Sequence, residues 1–197
     1  MKQGATRHAL KARKDDLYET PAICIDAAHR AGVFEGIDGL VWEPCAGRGA
    51  IVRELRARGF AVTAQDLVDH PGRDADIATG IDFLMETRAP QGVAAIVTNP
   101  PFKLADAFIR HGLTLAPRVV VLLRAMAIEG GSRADMIDRH LRRYWIGIDR
   151  PPAMHREGWE GPHLSNSGAP FAWFDFSASQ RAVGEPIELR RFWWRRK

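Results

Sequence analysis

The sequence predicts an α/β domain with a doubly wound, mostly parallel sheet of seven strands in three layers, α/β/α. Three observations carry this. Short continuous apolar runs alternate with helical segments of about ten residues, the rhythm of strand–helix–strand units. The runs at 92–98 and 118–123 are continuously apolar from 93 to 97 and from 119 to 123, as suits strands covered on both faces. Polar or glycine-rich breaks recur where these runs stop, on the edge where open parallel sheets hold their ligands.

The elements follow in order. Asp15 to Pro21 leads into a helix for which Thr20 is the expected N-cap and Pro21 the first turn. Ile23, Ala27, Ala28 and Ala31 give it an apolar stripe, and Gly32 can end it. A strand is expected over 39–43, an amphipathic helix over 50–58 ended by Gly59, and a strand over 60–65 stopping at Asp66. A short strand falls within 77–84, ending near Asp82. The strand at 92–98 is stopped by Asn99-Pro100-Pro101, and 104–115 is helical. A strand over 118–123, a helix over 132–142 and strands over 144–148 and 171–176 complete the pattern. The alternating run at 171–176 reads as the last strand packing on the sheet.

The 197 residues suit one domain with a sizeable core. Residues 1–14 read as a basic N-terminal arm and 15–197 as a single domain with a substrate loop at about 150–170. That loop is rich in Pro, Gly, His and Trp without period, and a long stretch of this kind inside a compact domain is usually functional or mobile. No run of about 18 apolar residues is present, so no membrane contact is expected. The first 16 residues lack the apolar centre of a signal peptide, which makes cytoplasmic residence the expectation. Cys24 and Cys45 sit in apolar surroundings and read as reduced packing residues. His155 and His163 have no paired Cys or carboxylate spacing, so no metal is expected.

Net charge is +4, a mild bias toward polyanions, and it is concentrated at 2–14 and 190–197. In the second cluster cations flank Phe192, Trp193 and Trp194, which suits phosphate contact with base stacking or, alternatively, a solvated end whose aromatics fold back onto the body.

Four breaks converge on the predicted ligand edge. Glu43-Pro44-Cys45-Ala46-Gly47-Arg48-Gly49 follows the first strand, and Gly47 and Gly49 would let backbone pass close to a ligand while turning into a helix. There is neither a G-K-[ST] nor a full G-x-G-x-x-G, so the loop suits a ligand without phosphate. Asp66, about 20 residues past the glycines and followed by Leu67, can accept bonds from ribose hydroxyls. Asp82 beside Phe83 offers an acceptor for an adenine amine next to an apolar face. Ribose and adenine without phosphate describe S-adenosylmethionine better than a dinucleotide.

Asn99-Pro100-Pro101-Phe102 is the sharpest feature. Two prolines cannot lie inside a central strand, so they form a rigid segment at its end. An arylamine is a poor nucleophile because its lone pair is drawn into the ring. The Asn99 side-chain oxygen and the Pro100 carbonyl can accept its two hydrogens and leave the lone pair facing a methyl donor. Positioning and electrostatics then carry the catalysis. Phe102 can stack on the target ring, as pockets for flipped bases require.

These motifs resemble those of class I S-adenosylmethionine-dependent methyltransferases. Residues 43–49 look like the family's cofactor motif, and Asn99-Pro100-Pro101-Phe102 looks like the catalytic tetrapeptide of N6-adenine and related amino methyltransferases. Tyr18-Glu19-Thr20-Pro21 resembles the Tyr-x-Thr-Pro segment of N6-adenine DNA methyltransferases, the motif order matches their gamma arrangement, and small phage and prophage enzymes of this kind are similar in length. The resemblance covers roughly residues 15–125. It implies a Rossmann-like fold and a cofactor pocket lined by Tyr18, Thr20, Pro21, Glu43, Pro44, Cys45, Ala46, Gly47, Gly49, Asp66, Leu67, Asp82, Phe83 and Asn99. It also implies that Asn99, Pro100, Pro101 and Phe102 handle the amine and that the partner is nucleic acid, DNA first. Phe102, Lys103, Arg124, Arg156, Trp159 and His163 are the expected substrate contacts. The chain is short for a separate target-recognition domain, which puts sequence choice on the 150–170 loop, the arm and the tail. The tetrapeptide also occurs in enzymes that methylate RNA adenine, guanine or protein glutamine. Those acceptors, and a cofactor-binding DNA-associated module without catalysis, are the alternatives.

Overall fold

The computed structural model describes residues 17–154, 166–182 and 184–195. In chain order the elements are α1 (Ala22–Ala31), β1 (Leu40–Glu43), α2 (Ala50–Arg56), β2 (Val62–Asp66), β3 (Ala78–Thr79), β4 (Val93–Thr98), α3 (Ala105–Leu115), β5 (Arg118–Arg124), α4 (Ala134–His140), β6 (Leu141–Gly147), β7 (Phe171–Ser177) and β8 (Glu188–Phe192). One sheet contains all eight strands in the order β3-β2-β1-β4-β5-β7-β6-β8. Neighbours are parallel except at β5–β7 and β7–β6.

Alternation along the central strands divides the core in two. Val41, Val97, Val120, Leu122 and Trp173 face α1 and α2. Trp42, Ile96, Val119, Val121, Leu123 and Phe174 face α3 and α4. This is the expected three-layer, Rossmann-like architecture. Successive residues of β4 and β5 enter opposite cores, which is why their interiors, 93–97 and 119–123, are apolar without a break. At the edge away from the strand carboxyl ends, Arg118 donates to both oxygens of the buried Asp175 (2.8 and 3.0 Å) and to the carbonyls of Val33 and Glu35 (both 2.7 Å). That fork ties β5 to β7 and to the segment after α1.

Several elements differ from expectation, each for a physical reason. Pro21 rather than Thr20 is the N-cap of α1, because the Thr20 hydroxyl accepts a hydrogen bond from Asn99 instead of from its own helix. The third strand shrinks to two residues, and Asp82 caps a 3₁₀ turn (Phe83–Met85) by accepting from the Leu84 N–H at 3.0 Å. Helix α4 stops at His140 because β6 already begins at Leu141. The sheet has eight strands, not seven. The eighth, Glu188–Phe192, lies on an edge with four of its five residues exposed, so the sequence shows no alternation there.

The C-terminal aromatics fold back onto the body. Phe192 and Trp194 are buried in the core that also holds α1, with Trp194 at 0% exposure. The N–H groups of Trp194 and Arg195 are held by the Asp149 carboxylate at 2.8 and 3.4 Å. Strands β6 and β7 form an antiparallel hairpin whose arms continue as a ribbon. Ser167 N donates to the Pro151 carbonyl at 2.9 Å, and Pro152 bridges Asn166. No helix among the described residues is long and apolar enough to cross a membrane.

Candidate active site

The strand order reverses between β1 and β4, and that switch point opens a crevice beyond their carboxyl ends. A cavity of about 530 Å³ occupies it. This is room for a nucleoside-sized ligand. Its walls come from four stretches. The segment before α1 supplies Leu17, Tyr18, Glu19 and Thr20. The loop after β1 supplies Pro44, Cys45, Ala46 and Arg48. The stretch after β2 supplies Asp66, Leu67 and His70, with Asp82, Phe83 and Leu84 further on. The segment after β4 runs from Asn99 to Leu104.

The glycine loop is built as its residues require. Gly47 has φ +55° and Gly49 φ +92°, the left-handed region that side chains disfavour, and Gly49 caps α2. A Cβ on Gly49 would lie 2.4 Å from an Asp74 carboxylate oxygen. Asp66 holds the loop from the side, its Oδ2 accepting from Gly47 N at 2.7 Å and its Oδ1 from Val68 N at 2.8 Å. The ribose-binding candidate therefore also clamps the loop. His70 sits buried beside it, Nε2 3.7 Å from Asp66 Oδ1.

Beneath the cavity lies Glu43, with 0% exposure. Its Oε1 accepts from Cys45 N at 3.2 Å, and its Oε2 has no partner among the described residues. Burial pushes its carboxyl from 4.5 up to about 8. The sign follows directly: the folded chain keeps a proton that the unfolded chain loses above about pH 4.5, so this group costs stability as pH rises toward 8. Relative to the parent, the unfolding free energy of Glu43→Gln is expected to rise steadily from pH 4.5 to pH 8, by on the order of 5 kcal/mol at about 1.4 kcal/mol per pH unit, read as a Tm difference that widens with pH. Parallel Tm profiles for the two proteins across that range would refute it.

Cys45 is a thiol, not a nucleophilic thiolate. Burial, then the nearby Glu43, raises it well above the usual cysteine range, and its Sγ lies 2.8 Å from Thr98 Oγ1. Cys24 is pushed up to about 12 by burial and serves as packing under α1.

Asn99 stands at the mouth of β4. Its amide nitrogen donates to the Thr20 hydroxyl at 3.1 Å and the Tyr18 carbonyl at 3.5 Å, and it lies 3.9 Å from Met154 Sδ. A carbonyl only accepts, so this network fixes which end of the amide faces it. The other end, Oδ1, is buried and without a partner among the described residues. Phe102 is half-buried, with ring centroids of Tyr18 and Phe171 at 5.8 and 6.2 Å, and the Arg124 guanidinium lies over its face at 5.0 Å.

Comparison with solved structures identifies the architecture. A protein of Pyrococcus horikoshii provisionally classed as an RNA methyltransferase superposes with a TM-score of 0.54 at 13% identity, over 81% of this chain and 85% of that one. A dimethyladenosine transferase of Plasmodium falciparum gives 0.52 at 12% identity, over 84% of this chain and 63% of that one. The modification subunit of a provisionally classed type I restriction enzyme from Vibrio vulnificus gives 0.54 at 14% identity, over 86% of this chain and 46% of that one. The chain has the Rossmann-like methyltransferase fold. No protein-family model matches the sequence, and no curated protein matches it.

Within this methyltransferase fold most predicted site residues meet at one cavity. Tyr18, Thr20, Pro44, Cys45, Ala46, Asp66, Leu67, Asp82, Phe83 and 99–103 line it. Pro21, Glu43, Gly47 and Gly49 stand behind the walls rather than in them, as supports of the segments that do. Arg124 reaches the site only through Phe102. Arg156, Trp159 and His163 lie outside the described residues, as does the basic arm at 1–14. Sequence reasoning missed His70, Thr98 and Met154. His70 could have been found from its spacing four residues past Asp66, but nothing in the sequence marks Met154, which arrives from the far end of a hairpin.

Proposed function

We propose that the protein transfers the methyl group of S-adenosylmethionine to the exocyclic N6 of adenine in DNA. The observation that carries this reading is the Asn99 amide. Its nitrogen is engaged by Thr20 and Tyr18 while its oxygen is left as a buried acceptor at the cavity. An acceptor in that state suits an N–H of an incoming amine. The Pro100 carbonyl would take the second hydrogen, so the amine is oriented before reaction.

The cofactor fits the residues present. The cavity has nucleoside size, Asp66 and Asp82 line it with acceptors for hydroxyl and amine groups, and no lysine stands in the glycine loop to ask for a phosphate. Bound there, the cofactor supplies an electrophilic methyl on a sulfonium. The chain's own part would be to hold the amine, through Asn99 Oδ1 and the Pro100 carbonyl, and the proton that the amine loses on methylation would pass to solvent. No protein nucleophile is called for, consistent with the protonated Cys45. Phe102 would stack on the target base once Arg124 leaves its ring.

The test is methyl transfer from radiolabelled S-adenosylmethionine to duplex DNA, single-stranded DNA, RNA and a protein lysate, with nucleosides identified after digestion. Label in N6-methyladenine from DNA is the expected result. Label confined to RNA or to protein would overturn the acceptor, and no label anywhere despite cofactor binding would overturn catalysis.

A further inference from the structure

The strand-end edge that holds the cavity carries a row of cations, of which Lys103 and Arg124 belong to the site and Arg150 and Arg195 do not. Strands β4, β5, β6 and β8 all end on this edge, since β6 and β8 run parallel to β5 across the antiparallel β7. A cation follows each end: Lys103 past β4, Arg124 closing β5, Arg150 past β6 and Arg195 past β8. Lys103, Arg124 and Arg150 are exposed, and Arg195 is half-exposed.

None of the four pairs with a carboxylate among the described residues. Among the described residues their side chains have backbone carbonyls as hydrogen-bond partners only, Arg150 Nη1 on Gly168 O at 2.9 Å and Arg195 Nη1 on Arg150 O at 3.2 Å, which leaves most guanidinium N–H groups open. Arg133 is paired with Asp106, and the arginines farther back along the strands are paired as well, Arg143 with Asp175 and Glu188 and Arg190 with Glu188. The acid closest in sequence, Asp149, is taken by the N–H groups of Trp194 and Arg195. Among the described residues Glu129 is an exposed acid of this half. Asp66 and Asp82 stand on the other half, with the cavity.

We infer that this half of the edge is a track for a nucleic-acid backbone, and that Arg150 and Arg195 are phosphate contacts delivered by the hairpin base and by the eighth strand. Unpaired cations in a row on one edge fit a polyanion whose charges repeat along a line. Four strand steps of about 4.8 Å separate β4 from β8, so the row spans roughly 19 Å. At about 3.4 Å per nucleotide that is a footprint of about five or six nucleotides. The row ends at Lys103, next to the amine-handling tetrapeptide, so a strand lying on it would bring a base to Asn99. The inference rests on the proposed function for that last step only.

The experiment is binding of a short fluorescein-labelled oligonucleotide, as DNA and as RNA, across a salt series, to the full chain and to Arg150→Gln, Arg195→Gln and the double variant. Arg110→Gln, on the outside of α3, is the control. Each track substitution should lower the slope of log affinity against log salt by about one, the double variant by about two, with Arg110→Gln unchanged and cofactor affinity retained in all. Unaltered slopes in the track variants, or no nucleic-acid binding by the parent, would overturn the track. Methyl transfer on the same oligonucleotides separates the two readings. Binding that falls with Arg150 and Arg195 but no transfer leaves the track standing and removes the methylation reading. Transfer to DNA at parental rates in both variants does the reverse. The DNA and RNA arms show which backbone is preferred.

Discussion

Asn99→Ala is expected to lower kcat for methyl transfer by about 10²–10³, with cofactor affinity changed only a few-fold. The estimate follows from removing one preorganised group at a site where charge develops on the amine. Tyr18 and Thr20 hold the amide in place, so its oxygen needs no reorganisation when the acceptor arrives. Alanine removes the acceptor and frees the Thr20 hydroxyl, leaving the cavity open. Asn99→Asp is the sharper comparison. It restores an oxygen but sets a carboxylate against the Tyr18 carbonyl, so it should not recover the parent rate. A kcat within a few-fold of the parent in Asn99→Ala would show that the amine is oriented elsewhere.

The second large effect belongs to Asp66. Its two oxygens each accept a backbone N–H, one of them from the glycine loop itself. Hydrogen bonds to a charged acceptor contribute about 1.5–3 kcal/mol each, and loss leaves two amides short of a partner. Asp66→Ala should therefore destabilise the chain by about 3 kcal/mol and weaken cofactor binding by about 100-fold, since loop geometry and a ligand acceptor go together. Asp66→Asn should be nearly as damaging, because an amide NH₂ would face one of the two N–H donors. Calorimetry of binding and of unfolding checks both at once. A loss of affinity without a loss of stability would mean that Asp66 serves the ligand alone.

Much of this was legible in the sequence because local chemistry and global architecture agree there. The apolar runs at 93–97 and 119–123, rich in β-branched residues, lack alternation, as strands covered twice do, and Asn99-Pro100-Pro101 stops the first of them because prolines cannot continue a central strand. The elements that were misread are those whose outcome depends on distant partners. Thr20 has the chemistry of an N-cap, but Asn99, 79 residues away, claims its hydroxyl. Glu188 to Phe192 has no alternating pattern because β8 is an exposed edge. It is fixed by register with β6 and by the burial of Phe192 and Trp194 just beyond. The cation row was invisible for the same reason. Lys103, Arg124, Arg150 and Arg195 are scattered over 93 residues of sequence and become neighbours in a line only through strand order.

The burial of Trp194 against the core that covers α1 has a consequence for how the chain folds. Helix α1 precedes every strand, yet part of its cover is Phe192 and Trp194, which follow all of the central strands in sequence. Contacts of such long sequence separation pay their loop-closure entropy late. Among the described residues the fully buried members of the core under α3 and α4 all lie between Trp42 and Phe176, with the half-buried Ile187 packed on it from beyond. Ordering is thus expected to begin under α3 and α4 and to finish under α1. Hydrogen exchange during refolding should protect the amides of β4 and β5 before those of Cys24 to Ala28, so the cofactor crevice, which borrows one wall from the segment ahead of α1, closes only at the end.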